Sequence, residues 1–359
     1  MAGPMPPAIG GMVSIVRDLC ESKLGESFII ETFNTSKQTQ AGRTLRTAVA
    51  TRLSMWRNWW RLIGAGAPVI AHIHTCSGLS YFLDAALLWI ARVRGVPVVL
   101  HIHGGRFDGF IDQLDPLRVW FVRVSARSAE RVIVLSESWR GRLEPLLPGA
   151  RLRVIENAVL VQPLAAAVTE QRDPLILFLG ALCREKGVED LVRAFARLSH
   201  PAQLALVGPE TETGFVTRMQ VLASELGARD RIELPGPAQG AVKALWLARA
   251  SIFVLPSYAE GQPISVLEAM AAGLPVVASA VGAIPTMIEP ERAGLLIEAG
   301  DVDALSRALD RLLGDPGLRE QLGRHGRAQC ELRYSIDRAV GQLRTLYTEI
   351  VATPDVGTA

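Results

Sequence analysis

Two carboxylates stand eight residues apart in the segment SYAEGQPISVLEAMAAGLPVVAS, which begins at Ser257. Glu260 follows a short apolar run, and Glu268 falls about one turn inside the helix that the next residues predict. A carboxylate accepts hydrogen bonds from two neighbouring hydroxyls, such as a ribose diol. The spacing therefore predicts that Glu268 binds a ribose and Glu260 a second polyol. The alternative is that both acids are solvated.

The turn between the two acids has the composition of an anion-binding helix start. Gly261 allows close backbone approach, Gln262 continues the turn and Pro263 suits the first helical turn. The free N–H groups around Ile264 would then point at a phosphate. A phosphate site between two polyol-binding carboxylates predicts a nucleotide-sugar site.

A second charged segment, ALCREKGVEDL, follows the apolar run LILFLG. Its Arg184 and Lys186 lie in the predicted strand-to-helix loop, where cations neutralise a diphosphate and stabilise it as a leaving group. The alternative is that both are exposed charges on a turn.

The elements that would position these residues alternate between strand and helix along the whole chain. Six short apolar runs in the second half predict buried parallel strands: Leu175–Gly180, Gln203–Gly208, Arg231–Leu234, Ile252–Leu255, Pro275–Ser279 and Gly294–Ile297. Five runs predict strands in the first half: Phe28–Phe33, Pro68–His74, Val96–Ile102, Arg131–Leu135 and Leu152–Glu156. We expect an α/β protein with two Rossmann-like, doubly wound domains that face each other across a cleft.

The domain boundaries follow from composition. Residues 1–160 form the predicted N-terminal, acceptor-side domain, and the aperiodic segment 161–174, with two prolines, is the predicted linker. Residues 175–335 form the predicted nucleotide-sugar-binding domain. A last helix in 336–359 is expected to pack back on the first domain.

The start of the chain departs from this pattern. In MAGPMPPAIGG no apolar run precedes Gly10 and Gly11, although a doubly wound domain needs a central strand ahead of its first glycine loop. We expect that about eight further apolar residues, the length of a typical strand, precede Met1 in the functional protein.

Composition limits the class of protein. Hydrophobic residues make up 49% and charged residues 21%, as in packed globular proteins, and the four cysteines share no metal-binding or disulfide spacing. Asp301 and Asp303 form an Asp-x-Asp sequence, as in some metal sites. They follow a glycine and precede a helical pattern, so Asp301 is predicted to be an N-cap instead. We expect no catalytic metal, and no motif indicates nucleic acid binding.

The quoted motifs together resemble the retaining GT-B glycosyltransferases of family 4. The resemblance runs through PPAIGGM, HIHGG, FLGALCREKG, EGQPISVLEAMAAGLPVVAS and GLLIEAGDVDAL, which span nearly the whole chain. It implies transfer of a sugar from a nucleotide-diphosphate sugar to a glycan or lipid-linked acceptor, as in bacterial surface or extracellular polysaccharide synthesis. It also implies retention of configuration, without metal or other cofactor and without an enzymic nucleophile.

The resemblance assigns roles in the second half. Glu260 matches the glutamate near the donor sugar and Glu268 the glutamate on the ribose. The residues Gly261–Ile264 match those whose backbone amides bind sugar and phosphate. Lys186 matches the lysine on the diphosphate.

The resemblance also assigns roles around the reaction centre. Gly10 and Gly11 match a glycine loop that closes over the phosphates, and His103 matches a histidine at the reaction centre. One position departs from the family, because Ala181 stands where an arginine usually follows the strand. Arg184 is expected to supply that charge, or donor affinity is weaker. His72, His74 and His101 alternate with apolar residues in the predicted strands, so they are expected to pack or to support the site residues.

The segment Arg43–Ile63 combines five arginines with Trp56, Trp59 and Trp60. Helical spacing links Leu45, Val49, Leu53, Trp56 and Trp60. This composition is typical of a helix at an anionic membrane surface, and a buried helix is the competing interpretation. We expect a cytoplasmic protein, peripheral on the inner face of the plasma membrane if the first interpretation holds.

Two other functions stay open on sequence grounds. A sugar-nucleotide epimerase can share the GT-B architecture and needs no acceptor. A catalytically weak nucleotide-sugar-binding protein would also fit, given Ala181.

Overall fold

The computed structural model describes residues 1–36, 45–64, 69–161 and 174–352. The chain forms two compact units. The first contains Met1–Ala8, Met12–Asn157 and the chain from Asp337 onward, and the second contains Ile9–Gly11 and Ala158–Ile336. The predicted linker 161–174 lies outside the described residues except at its two ends.

The first unit is built on a six-stranded parallel sheet with the order β2-β1-β3-β4-β5-β6. Its strands are β1 (Ala2–Gly3), β2 (Phe33–Asn34), β3 (Ala71–Thr75), β4 (Val98–Ile102), β5 (Arg131–Val134) and β6 (Leu152–Val154). The helices between β1 and β6 are α1 (Gly11–Cys20), α2 (Leu45–Leu62), α3 (Leu79–Val93), α4 (Phe107–Asp112), α5 (Pro116–Ser128) and α6 (Glu137–Leu143).

The second unit has its own six-stranded parallel sheet, ordered β12-β11-β10-β7-β8-β9. The strands are β7 (Leu175–Leu179), β8 (Gln203–Val207), β9 (Ile232–Gly236), β10 (Ile252–Leu255), β11 (Val276–Ser279) and β12 (Gly294–Ile297). The helices are α7 (Val188–Ala196), α8 (Phe215–Glu225), α9 (Gly240–Arg249), α10 (Ile264–Ala271), α11 (Ile284–Met287), α12 (Val302–Gly314) and α13 (Pro316–Arg333).

Both sheets confirm the predicted α/β class with two doubly wound, Rossmann-like units. In the second unit the central strands β7 and β10 are buried along their whole length, which explains why they are continuous apolar runs rather than alternating ones. Asp301 is the N-cap of α12, where its side chain accepts a hydrogen bond from the Ala304 N–H at 2.8 Å, as the sequence predicted. The last helix, α14 (Ile336–Ala352), belongs to the first unit from Asp337 on.

The structure contradicts the predicted strand Phe28–Phe33 and the expected lack of a strand ahead of Gly10, while the extension ahead of Met1 stays a prediction. The run Phe28–Phe33 is strand only at its end, where β2 begins, and Ile29 is 96% exposed. Phe28 instead packs edge-on against Tyr347 of α14, with ring centroids 5.3 Å apart. Ahead of Gly10, the residues Ala2–Gly3 do form a strand, which pairs with β2 and β3. Alanine and glycine carry no pattern that reveals a buried strand.

The three tryptophans of helix α2 lie in different environments. Trp59 is buried and donates its indole N–H to the Leu87 carbonyl at 3.0 Å, and Trp56 packs on the same core. Trp60 is exposed, with the Arg94 guanidinium 4.8 Å from its ring centre. The helix therefore packs one side on the core and has a partly apolar outer face. Within the described ranges, no helix is long and apolar enough to span a bilayer.

Candidate active site

The loop from β10 to α10 places Glu260 at the carboxyl end of the second sheet. Its carboxylate is nearly buried, and Oε1 accepts hydrogen bonds from the Ser257 hydroxyl and the Lys186 ammonium, both at 2.7 Å. Ser257 is itself fully buried. These two donors fix the carboxylate in a single orientation, which a group that binds one hydroxyl of a ligand requires.

Lys186 reaches Glu260 because the loop after β7 packs against the loop after β10. The loop after β7 contains a 3-10 turn, Arg184–Lys186, that ends at Gly187 with a φ of +67°. A Cβ at Gly187 would stand 2.0 Å from the Pro256 carbonyl oxygen, so only glycine fits this approach. The Tyr258 N–H also donates to the Glu185 carbonyl at 2.9 Å. Both contacts bring the predicted diphosphate cation and the predicted sugar carboxylate together.

Glu268 lies one turn inside α10, as predicted, and its carboxylate forms an ion pair with Lys243 of α9. Both side chains are largely buried, at 15% and 18% exposure. Sequence reasoning missed Lys243. A signal was present, since Lys243 is the one charged residue in the otherwise apolar stretch 240–248.

The start of α10 is buried. Pro263 is its N-cap and Ile264 its first residue, and Gly261, Gln262 and Pro263 are also buried. The Ala283 N–H donates to the Gly261 carbonyl at 2.9 Å, which fixes the turn. The first N–H groups of an α-helix have no partner within the helix. Here they lie at the same loop as Glu260, so positive partial charge and a carboxylate meet at this sheet edge.

Arg184 and the two N-terminal glycines are placed less closely around these groups. Arg184 is exposed, and its backbone N–H donates to the Glu212 carboxylate at 3.3 Å. The segment Ile9–Gly11 belongs to the second unit, and a Cβ at Gly11 would lie 3.2 Å from Cγ1 of Ile264. The backbone of Gly11 therefore lies so close to the first residue of α10 that a side chain at this position would be in tight contact with it.

In the first unit, four histidines lie on one side of neighbouring strands. His72 and His74 are in β3, and His101 is in β4. His103 follows β4, and its backbone N–H donates to the Thr75 carbonyl at 2.9 Å. His74 Nδ1 and His103 Nε2 share a hydrogen bond of 2.9 Å. Burial lowers the pKa of His103 to about 4, so its ring is neutral at pH 7. The other three pack, as expected, and His74 also orients His103.

Two family models match the sequence of this chain. Residues 165–329 match the family described as glycosyl transferases group 1, and residues 37–158 match the glycosyl transferase 4-like domain. The first match includes the loops that carry Lys186 and Glu260, and the second includes the four histidines.

Curated relatives of similar length are sugar-transferring enzymes. An alpha-maltose-1-phosphate synthase of Mycolicibacterium smegmatis is 29% identical, with 86% of each chain covered. An alpha-D-kanosaminyltransferase of Streptomyces kanamyceticus is 28% identical, over 79% of this chain and 78% of the relative.

Solved structures show the same fold. A sucrose-phosphate synthase from Thermosynechococcus elongatus superposes with a TM-score of 0.80 at 24% identity, with 98% of this chain and 99% of the other covered. The Anabaena protein HepE, solved in complex with UDP-glucose, gives a TM-score of 0.74 at 16% identity, over 97% and 99% of the two chains.

Proposed function

We propose a donor class, an acceptor class and a stereochemical course for this chain, which belongs to the glycosyl transferases of group 1 and has the GT-B fold. Its activity is sugar transfer. The donor is a nucleotide-diphosphate sugar, and the acceptor is a glycan or a lipid-linked saccharide. The sugar keeps its anomeric configuration. The observation that carries the proposal is the contact between Lys186 and Glu260 beside the helix of Glu268.

The donor site works by exchange of partners. Lys186 and Glu260 form an ion pair with 2.7 Å between Nζ and Oε1. A diphosphate brings negative charge that Lys186 binds more strongly than one carboxylate, because charge-assisted hydrogen bonds to phosphate add to those from the α10 N–H groups. Glu260 is then left to accept hydrogen bonds from the sugar, while Glu268 binds the ribose hydroxyls.

The transfer step needs stabilisation of the leaving diphosphate rather than a protein nucleophile. The ammonium of Lys186 and the N–H groups of α10 stabilise the charge that develops as the bond to the anomeric carbon breaks. The acceptor hydroxyl gives its proton to a phosphate oxygen on the same face, which accounts for retention. These groups supply the positive charge, so we propose that transfer needs no metal and no other cofactor. His103, with its neutral ring, binds the sugar or the acceptor.

A lipid-linked acceptor would bring the protein to an anionic membrane surface, and the outer face of α2 supports this. Val49, Leu53 and Trp60 are exposed there, and Arg57 and Arg61 are exposed on the same helix. We therefore propose a cytoplasmic, peripheral location and a role in polysaccharide synthesis. The protein should sediment with anionic vesicles at low salt and be released as salt screens the charges.

The vesicle experiment has a matched pair of variants. The double variant Leu53→Ser, Trp60→Ser removes exposed apolar surface only, and we expect it to lose vesicle binding while it stays folded. A control, Leu245→Ser, changes an exposed apolar residue of the second unit. Binding that survives the double variant contradicts the membrane proposal.

The donor proposal is tested with a panel of nucleotide sugars. The purified protein is incubated with each donor, with and without saccharide acceptors, and nucleotide release and sugar identity are followed. Release that rises with acceptor, and an α-linked product from an α-linked donor, support retaining transfer. An isomerised nucleotide sugar would instead indicate an epimerase, and binding without turnover would indicate a binding protein.

A further inference from the structure

The histidines of β3 and β4 form a buried cluster that sugar transfer leaves unexplained. His72, His74 and His101 are each at most 3% exposed, and one ring nitrogen from each lies within 4.8 Å of the other two. The ring centroids of His72 and His74 are 4.4 Å apart, with the planes nearly parallel. Three imidazoles at this spacing cost desolvation, which apolar side chains would avoid.

The hydrogen bonds of the cluster leave specific nitrogen atoms available. His72 Nδ1 is bonded to the Tyr347 hydroxyl, and His74 Nδ1 is bonded to His103. His74 Nε2 and His101 Nε2 are buried without a hydrogen-bond partner among the described residues. Such atoms are rare in proteins and call for an explanation, which a bound ion gives for His74 Nε2.

We propose that His72, His74 and His101 bind one first-row transition-metal ion of the zinc class. Ligating histidines nearly always engage their second ring nitrogen in a hydrogen bond, which fixes the tautomer. Tyr347 and His103 provide this bond for His72 and His74, and both then present Nε2 to the ion.

The spacing agrees with such an ion. Zinc binds histidine nitrogen at about 2.0–2.1 Å, so ligands of a tetrahedral site stand roughly 3.3 Å apart. His72 Nε2 and His101 Nδ1 are 3.2 Å apart and share a hydrogen bond, which an ion bound to both nitrogens would replace. Nitrogen ligands without a carboxylate select transition ions over magnesium or calcium, which prefer oxygen.

The ion would join β3 to β4 through His74, the residue that is hydrogen-bonded to His103. Three protein ligands leave one position of a tetrahedron for water or another group. We assign the ion a role in holding the two strands and the orientation of His74, and no role in the bond-breaking step.

The test uses tag-free protein stripped with a chelator and titrated with Zn²⁺ against a chromophoric indicator, and with Co²⁺ in a parallel sample. We expect one equivalent of ion per chain and the intense visible absorption of four-coordinate Co²⁺. The variant His101→Asn should lose both. The double variant His200→Asn, His325→Asn removes the two histidines of the second unit and should keep both.

A further variant separates ligation from folding. His101→Cys offers a thiolate at the same position, so bound Co²⁺ should gain a sulfur-to-metal charge-transfer band in the near ultraviolet. No uptake by the wild type overturns the proposal. So does uptake that survives His101→Asn, or uptake by His101→Cys without the new band. None of these readouts depends on sugar transfer.

Discussion

The substitution Glu260→Gln separates the two roles of the Lys186–Glu260 contact. Glutamine keeps the size of the side chain and an oxygen for the Ser257 hydroxyl, but it removes the charge that holds Lys186 at 2.7 Å. A hydrogen bond to a charged group contributes about 1.5–3 kcal/mol. Loss of that bond to the sugar in the transition state should lower kcat by about 10- to 150-fold.

The same variant should not weaken the binding of the free nucleoside diphosphate. Lys186 no longer shares its ammonium with a carboxylate, so the Kd for the diphosphate should stay equal or fall. Steady-state kinetics and calorimetry measure the two quantities, with Glu233→Gln, an exposed acid of β9, as the control. Wild-type kcat, or a parallel collapse of diphosphate affinity, would refute the exchange of partners.

Five further substitutions give three predictions, two for the site and one for Asp84 in α3 of the first unit. Lys186→Ala should lower kcat/KM more than Arg184→Ala; if Arg184 replaces the charge missing at Ala181, the two losses will be similar and Ala181→Arg will partly rescue Arg184→Ala in the same assay. Gly187→Ala should destabilise the second unit by more than about 1 kcal/mol in urea unfolding, because its Cβ would collide with a backbone carbonyl; an unchanged midpoint contradicts the loop packing. Burial raises the pKa of Asp84 to about 7, so its ionisation opposes folding increasingly from about pH 4 to 7. Asp84→Asn should therefore gain stability over the wild type by up to about 1.4 kcal/mol per pH unit across that window, and a gain independent of pH in thermal unfolding would contradict this.

The sequence predicted the second unit almost completely, for a physical reason. Its strands are buried on both faces, so each is a continuous apolar run bounded by turns, and periodicity alone locates it. The first unit was harder, because β1 consists of alanine and glycine and β2 has only two residues. β1 is a strand because it pairs with β2 and β3, and pairing partners are invisible in a local pattern.

Sequence motifs identified the site residues themselves but not the residues they contact. Glu260, Lys186 and Glu268 were chosen from spacing and resemblance, yet the contact between Lys186 and Glu260 depends on two loops 74 residues apart in sequence. Lys243 belongs to a different helix from Glu268, and only the fold pairs them. For α2 the spacing of apolar residues predicted the helix, but the orientation of Trp59 depends on a hydrogen bond to α3.

The affinity of the protein for nucleoside diphosphates tests the central claim most directly. Calorimetry compares the wild type with Lys186→Met, Glu268→Gln and the control Glu233→Gln, using the diphosphate that the donor panel identifies. Lys186 on the diphosphate and Glu268 on the ribose each contribute charge-assisted hydrogen bonds, so each variant should bind about tenfold more weakly or worse, and the control should bind as the wild type does. Equal affinity in all four proteins would contradict the assignment of the nucleotide site to this face of the second sheet.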